Sequence, residues 1–61
     1  MTDEQKELFR IYCDLQSEEF KEEIIDYESL KMVDVQYAIK VNFTWGWLRV
    51  YKKKNNGIEW Y

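Results

Sequence analysis

Leu8, Ile11, Tyr12 and Leu15 recur at spacings of 3, 1 and 3 residues, with Phe9 on the flank of the stripe. That is the i, i+3, i+4, i+7 signature of an amphipathic helix. Thr2 followed by Asp3, Glu4 and Gln5 fits a capping box, and the acids suit the positive end of a helix dipole. The pattern predicts a helix over about residues 3–15. Ser17-Glu18-Glu19 repeats the start signal, and Phe20, Ile24 and Tyr27 follow at spacings of 4 and 3, so a second helix is expected over about 18–29. No Gly or Pro separates the two, which leaves one long helix bent near Ser17 as the alternative.

From Val35 the period drops to 2. Val35, Tyr37, Ile39, Val41, Phe43 and Trp45 alternate with Gln36, Ala38, Lys40, Asn42 and Thr44, the mark of a half-buried strand. Gly46, between two tryptophans, predicts a turn, bulge or sharp bend. A second strand, Trp47 to Lys53, sets Leu48 and Val50 against Trp47, Arg49 and Tyr51. Asn55-Asn56-Gly57 suits a primed hairpin turn, and Ile58 to Tyr61 makes a short last strand. The expected class is α+β: two N-terminal helices, or one bent helix, packed on a small three-stranded antiparallel β-meander. One domain spans residues 1–61, with a helical acidic part at 1–33 and an aromatic, basic β part at 34–61.

Composition narrows the chemistry. A chain of 61 residues buries only about 60% of the surface its unfolded form exposes, so its core is small. Its single cysteine, Cys13, cannot form an internal disulfide and fits a reducing compartment. There are no histidines, which excludes Ser-His and Cys-His nucleophile systems, and a lone cysteine cannot supply a structural zinc site. With two glycines there is no phosphate-cradling loop. A helix face does not converge carboxylates on Mg²⁺ or Ca²⁺ as a loop does. No enzyme activity, cofactor or metal is expected. The start, Met1 to Lys6, is acidic and polar, and no apolar run approaches the roughly 18 residues of a membrane span. A cytoplasmic location, that of the host cell for a phage-encoded protein, is the expectation.

The net charge of −3 conceals two opposed halves: residues 1–34 hold eleven acids against four bases, −7, and residues 35–61 hold five bases against one acid, +4. On a helix over 18–29, Glu18, Glu19, Glu22, Glu23 and Asp26 would share one face. Carboxylates about 5–6 Å apart can imitate a row of phosphates and engage the basic groove of a nucleic-acid-binding protein. The plain alternative is a solvated helix face, Glu being a good helix former. Glu18 over Glu22 and Glu19 over Glu23 nonetheless place like charges one turn apart, at a cost of about 0.2–0.5 kcal/mol per pair that a basic partner would offset.

Trp45, Trp47, Tyr51, Trp60 and Tyr61, with Arg49, Lys52, Lys53 and Lys54, form a second constellation. Rings on a sheet face can stack exposed bases while lysines hold phosphates. These rings can equally be core or a homodimer contact, with the lysine run guarding a strand end. A winged helix is disfavoured, because five acids on the second helix would repel a phosphate backbone.

In composition the chain resembles the small, acidic, cysteine-poor proteins with which phage and mobile elements block host defence; the resemblance covers no motif. The expected function is a non-catalytic protein-binding module, an inhibitor or regulator acting through an acidic DNA-mimic surface on a larger protein with a basic groove. Single-stranded nucleic-acid binding by the aromatic, basic hairpin and a small homo-oligomer are the alternatives, and no membrane partner is expected.

Overall fold

In the computed structural model, which describes residues 1–61, the elements run α1 (Asp3–Asp14), α2 (Glu18–Glu22), β1 (Ile24–Leu30), β2 (Val35–Phe43), β3 (Gly46–Lys53) and β4 (Ile58–Trp60). The capping box forms as its spacing predicts. The Gln5 backbone donates to the Thr2 hydroxyl at 3.1 Å, and the Thr2 backbone donates to the Gln5 side-chain carbonyl at 3.0 Å. Gln5 also ties α1 to the sheet. Its amide nitrogen donates to the Ser29 hydroxyl at 2.8 Å and to the Ala38 carbonyl at 3.0 Å, so this buried polar side chain is fully engaged.

The sheet is a four-stranded antiparallel meander in the order β1-β2-β3-β4, one strand more than the periodicity predicts. The class α+β stands. The expected helix over 18–29 is corrected: α2 ends at Glu22, Glu23 caps it, and the rest of that stretch is β1. A β-bulge explains why the pattern reads as helical. Ile24 pairs with Phe43 and Asp26 with Asn42, which leaves Ile25 as an extra, unpaired residue. The insertion turns Ile24 and Tyr27 to the same face although they are three apart, a spacing that otherwise signals a helix.

The two turns in the second half follow their residue chemistry. Phe43 pairs with Gly46 across Thr44-Trp45, and Gly46 sits at φ +156°, where a side chain would strain the backbone although no atom stands in its way. The expected primed turn does not form: Asn56 alone adopts positive φ, +73°, in a four-residue connection closed by the Asn56 amide donating to the Lys53 carbonyl at 2.9 Å, and the Gly57 amide donates to the Asn55 side chain at 3.0 Å. Asp34, at φ +61°, closes the β1–β2 connection in the same left-handed region.

Leu8 and Tyr12, one turn apart on α1, meet Ile39, Val41 and Phe43 of β2 and Val50 of β3 to form the buried core. Phe9, Phe20, Ile24, Tyr27, Tyr37, Leu48 and Ile58 surround it, half-buried, and Phe9 stacks on Tyr27 at 3.8 Å. Only one face of the sheet is covered in this way. No helix is long and apolar enough to cross a membrane.

Tyr12 is wholly buried, and its hydroxyl has no hydrogen-bond partner. Burial, with the adjacent Cys13 thiol, pushes that hydroxyl up to about 12. The folded value exceeds the unfolded one, so the stability it contributes is full below about pH 10 and is lost as the pH rises through about 12. Tyr12→Phe removes an unsatisfied polar group and should raise the unfolding free energy by about 1 kcal/mol. It should also flatten the alkaline loss, a result read from urea unfolding at about pH 8 and about pH 11.

Candidate functional site

Two surfaces remain open once α1 has covered the inner face. The first is acidic and runs along α2 and the edge strand β1. Ser17 starts α2, its hydroxyl accepting from the Phe20 amide at 3.2 Å. A five-residue helix does not hold itself in water, and Phe20 anchors it, its ring 5.1 Å from that of Phe43 and 6.0 Å from that of Trp45.

Of the five predicted carboxylates, Glu18, Glu19, Glu22 and Glu23 belong to α2 and its C-cap, and Asp26 lies on β1 instead of on the same helix face. Glu18 pairs with Lys21 at 2.9 Å, so this helix does carry a cation, and the contact holds the Lys21 ammonium above its usual pKa. Glu19 and Glu22 are exposed and bound to nothing in the chain. Glu23 accepts from the Thr44 hydroxyl, and its carbonyl accepts from the Thr44 amide at 3.0 Å, which fastens the helix end to the β2–β3 turn. Asp26 lies on β1, where it accepts from the Asn42 amide at 2.8 Å. Glu28, which the helical pattern did not single out, shares that donor at 2.9 Å. Residues 18–28 thus carry six acids against one base. No three carboxylates or thiols gather closely enough to hold a metal ion.

The second surface is the outer face of the sheet. Strand alternation turns Trp47, Arg49, Tyr51 and Lys53 of β3 to this side, next to Lys40 and Asn42 of β2 and Glu59 of β4. The Arg49 guanidinium lies 4.7 Å from the ring centres of both Trp47 and Tyr61, and the Lys40 ammonium lies 4.7 Å from Trp47. Neither cation forms an ion pair, although Glu28 stands opposite Lys40 across the strands. Tyr51 donates to Glu59 at 3.0 Å, a bond that pushes the phenol's pKa up, and Lys53 reaches the same carboxylate at 3.4 Å.

The predicted aromatic and basic set is therefore divided. Trp60 and Lys52 point to the helix side, Trp60 meeting Tyr12 edge-on at 5.2 Å and Lys52 lying 5.7 Å from the Tyr37 ring. Trp45 stacks on Phe43 at 4.6 Å in the β2–β3 turn, and Lys54 lies at the opposite end of β3, 4.0 Å from Asp34. Lys40 joins the outer cluster, and only the cross-strand register reveals it. Cys13 is half-buried, and burial pushes its thiol up, away from the reactive thiolate.

Comparison with protein-family models, with curated proteins and with solved structures finds no match.

Phe20→Ala should release α2 and with it the placement of Glu18, Glu19 and Glu22. The expected result is a red shift in Trp45 emission and a loss of about 2 kcal/mol in urea unfolding, with the strand signal retained. Unchanged Trp emission would show that Phe20 does not anchor the helix.

Proposed function

We propose that the chain is a non-catalytic protein-binding module, an inhibitor or regulator of a nucleic-acid-handling protein, that offers its acidic α2–β1 edge to that partner's basic groove. The observation that carries this reading is the exposed, unpaired pair Glu19 and Glu22, continued along the edge strand by Asp26 and Glu28. Spacings of about 5–6 Å between neighbours on a helix, for Glu19 and Glu22, and about 6.6 Å between alternate residues of a strand, for Asp26 and Glu28, are ones that cationic side chains of a partner can match. Association driven by such charges is fast and weakens with salt. The anti-defence class suggested by composition belongs to this proposal and supplies candidate partners, proteins that grip DNA or RNA.

Glu19 and Glu22 make no contact that the fold needs, so E19K/E22K tests the reading without unfolding the chain. Nucleic-acid-binding proteins retained from host extract by the immobilised chain should be displaced by duplex DNA, and the double reversal should cut their retention at least tenfold. Retention indifferent to both DNA and the reversal would refute the mimicry.

A second reading, single-stranded nucleic-acid binding, is favoured by Arg49, whose guanidinium is held between two rings with none of its donors engaged. Fluorescence anisotropy with random-sequence oligonucleotides at low salt decides it. Binding that is weakened at least tenfold by R49A supports this reading, and no binding up to about 100 µM removes it, since non-specific sites reach about 10⁻⁴ to 10⁻⁶ M.

A further inference from the structure

On the outer face every carboxylate is engaged and two cations are not. Asp26 and Glu28 both accept from the Asn42 amide, and Glu59 accepts from Tyr51 and Lys53. Lys40 and Arg49, by contrast, stand directly opposite each other on β2 and β3, a like-charge pair that a sheet tolerates poorly, and no carboxylate of the chain pairs with either. Cross-strand partners are rooted about 4.5–5.5 Å apart, so both cationic heads can close on one oxyanion. The Arg49 head is also pinned. With the Trp47 and Tyr61 ring centres each 4.7 Å away, rings hold the guanidinium while its N–H groups, which lie in its plane, stay free. Tyr61 further borders an open cleft of about 460 Å³ lined by Tyr51, Ile58, Glu59, Trp60 and Tyr61.

We propose that Lys40 and Arg49 form a binding site for one phosphate monoester group, carried by a small molecule whose planar ring lies in the cleft beside Tyr61, as a nucleoside monophosphate would provide. The proposal does not rest on the acidic edge, and it assigns the outer face a compact ligand where the nucleic-acid reading assigns a strand. The chemistry of the ligand follows from the surroundings. Two cations match the about 1.5 to 2 negative charges of a phosphate monoester, whereas a carboxylate would leave one of them unanswered. The planar fork of Arg49 offers paired donors to two phosphate oxygens. Asp26 and Glu28 on the β1 side and Glu59 on the β4 side bound the site, so a further phosphate in either direction would meet repulsion, which disfavours a polynucleotide and spares a single phosphate. The Tyr61 ring, 60% exposed, and the largely apolar lining of the cleft give the ligand's ring a surface that a bare phosphate ion would not use.

Amide and indole NMR signals of the isotope-labelled chain, titrated with adenosine monophosphate at low salt and about pH 7.5, should shift saturably at Lys40, Trp47, Arg49 and Tyr61, with a Kd below about 1 mM. The Trp45 indole, which packs on Phe43 in the turn, should not move. K40A and R49A should each weaken binding about tenfold, and R49K, which keeps the charge and loses the fork, should weaken it several-fold. The same spectra show that each variant stays folded. Absence of a saturable shift up to about 10 mM, or shifts spread evenly over the lysines, would overturn the proposal. So would adenosine or inorganic phosphate binding as tightly as the monophosphate, R49K binding as tightly as the native chain, or a random-sequence oligonucleotide held through Arg49 at least tenfold more tightly, the outcome that the nucleic-acid reading requires.

Discussion

Everything in this molecule follows from one packing contact, Leu8 and Tyr12 of α1 set into the inner face of β2 and β3 against Ile39, Val41 and Val50. A chain of this size has one helix of useful length to spend on a sheet of four strands, so it can cover one face and no more. The outer face and both edges must meet solvent or a partner. The outer face is made tolerable by cations laid over its rings, Lys40 and Arg49 on Trp47 and Arg49 again on Tyr61, which screen apolar area while keeping the charges wet.

Folding also rearranges the two charge halves of the sequence. The acidic half contributes β1, which pairs directly with β2 of the basic half, so Asp26 and Glu28 lie beside Asn42 and Lys40. The separation of −7 and +4 along the chain becomes an acidic edge one or two strand spacings, roughly 5–10 Å, from a cationic centre. A polyanion approaching Arg49 meets those carboxylates on one side and Glu59 on the other, whereas a cationic groove approaching α2 meets mainly acids. This asymmetry is why the protein-binding reading stands ahead of the nucleic-acid one.

What was legible in the sequence was whatever depends on neighbours along the chain. Thr2 and Gln5 announce α1, the alternation from Val35 announces β2, and Asn55-Asn56-Gly57 announces the last turn. β1 was illegible because the extra residue Ile25 gives Ile24 and Tyr27 a helical spacing, and only pairing with β2, up to 19 residues away, distinguishes a bulged strand from a helix. The same error placed Asp26 on a helix face beside Glu22. The outer cluster was half legible. Alternation puts Trp47, Arg49 and Tyr51 together, but the arrival of Lys40 and the departure of Trp60 to the other side depend on register.

The acids of the α2–β1 edge have a mundane role to set against binding, since charge on an edge strand keeps sheets from joining. That role accounts for Asp26 and Glu28, which stand on β1 and share Asn42. It does not account for Glu19 and Glu22, which lie on a helix outside the sheet, guard no strand and touch no cation of the chain. Solubility alone is served as well by acids interspersed with basic residues, and α1 has that pattern, where Arg10 bridges Glu7 and Asp14. The surplus on α2 is thus the part of the charge that folding does not use, and it lies on a short helix held chiefly by the ring of Phe20 and the Glu23–Thr44 contact. Because Phe20 fixes this helix against Phe43, Glu19 and Glu22 are presented from a defined position while engaging no group of the chain, and that is the physical basis of the proposed contact surface.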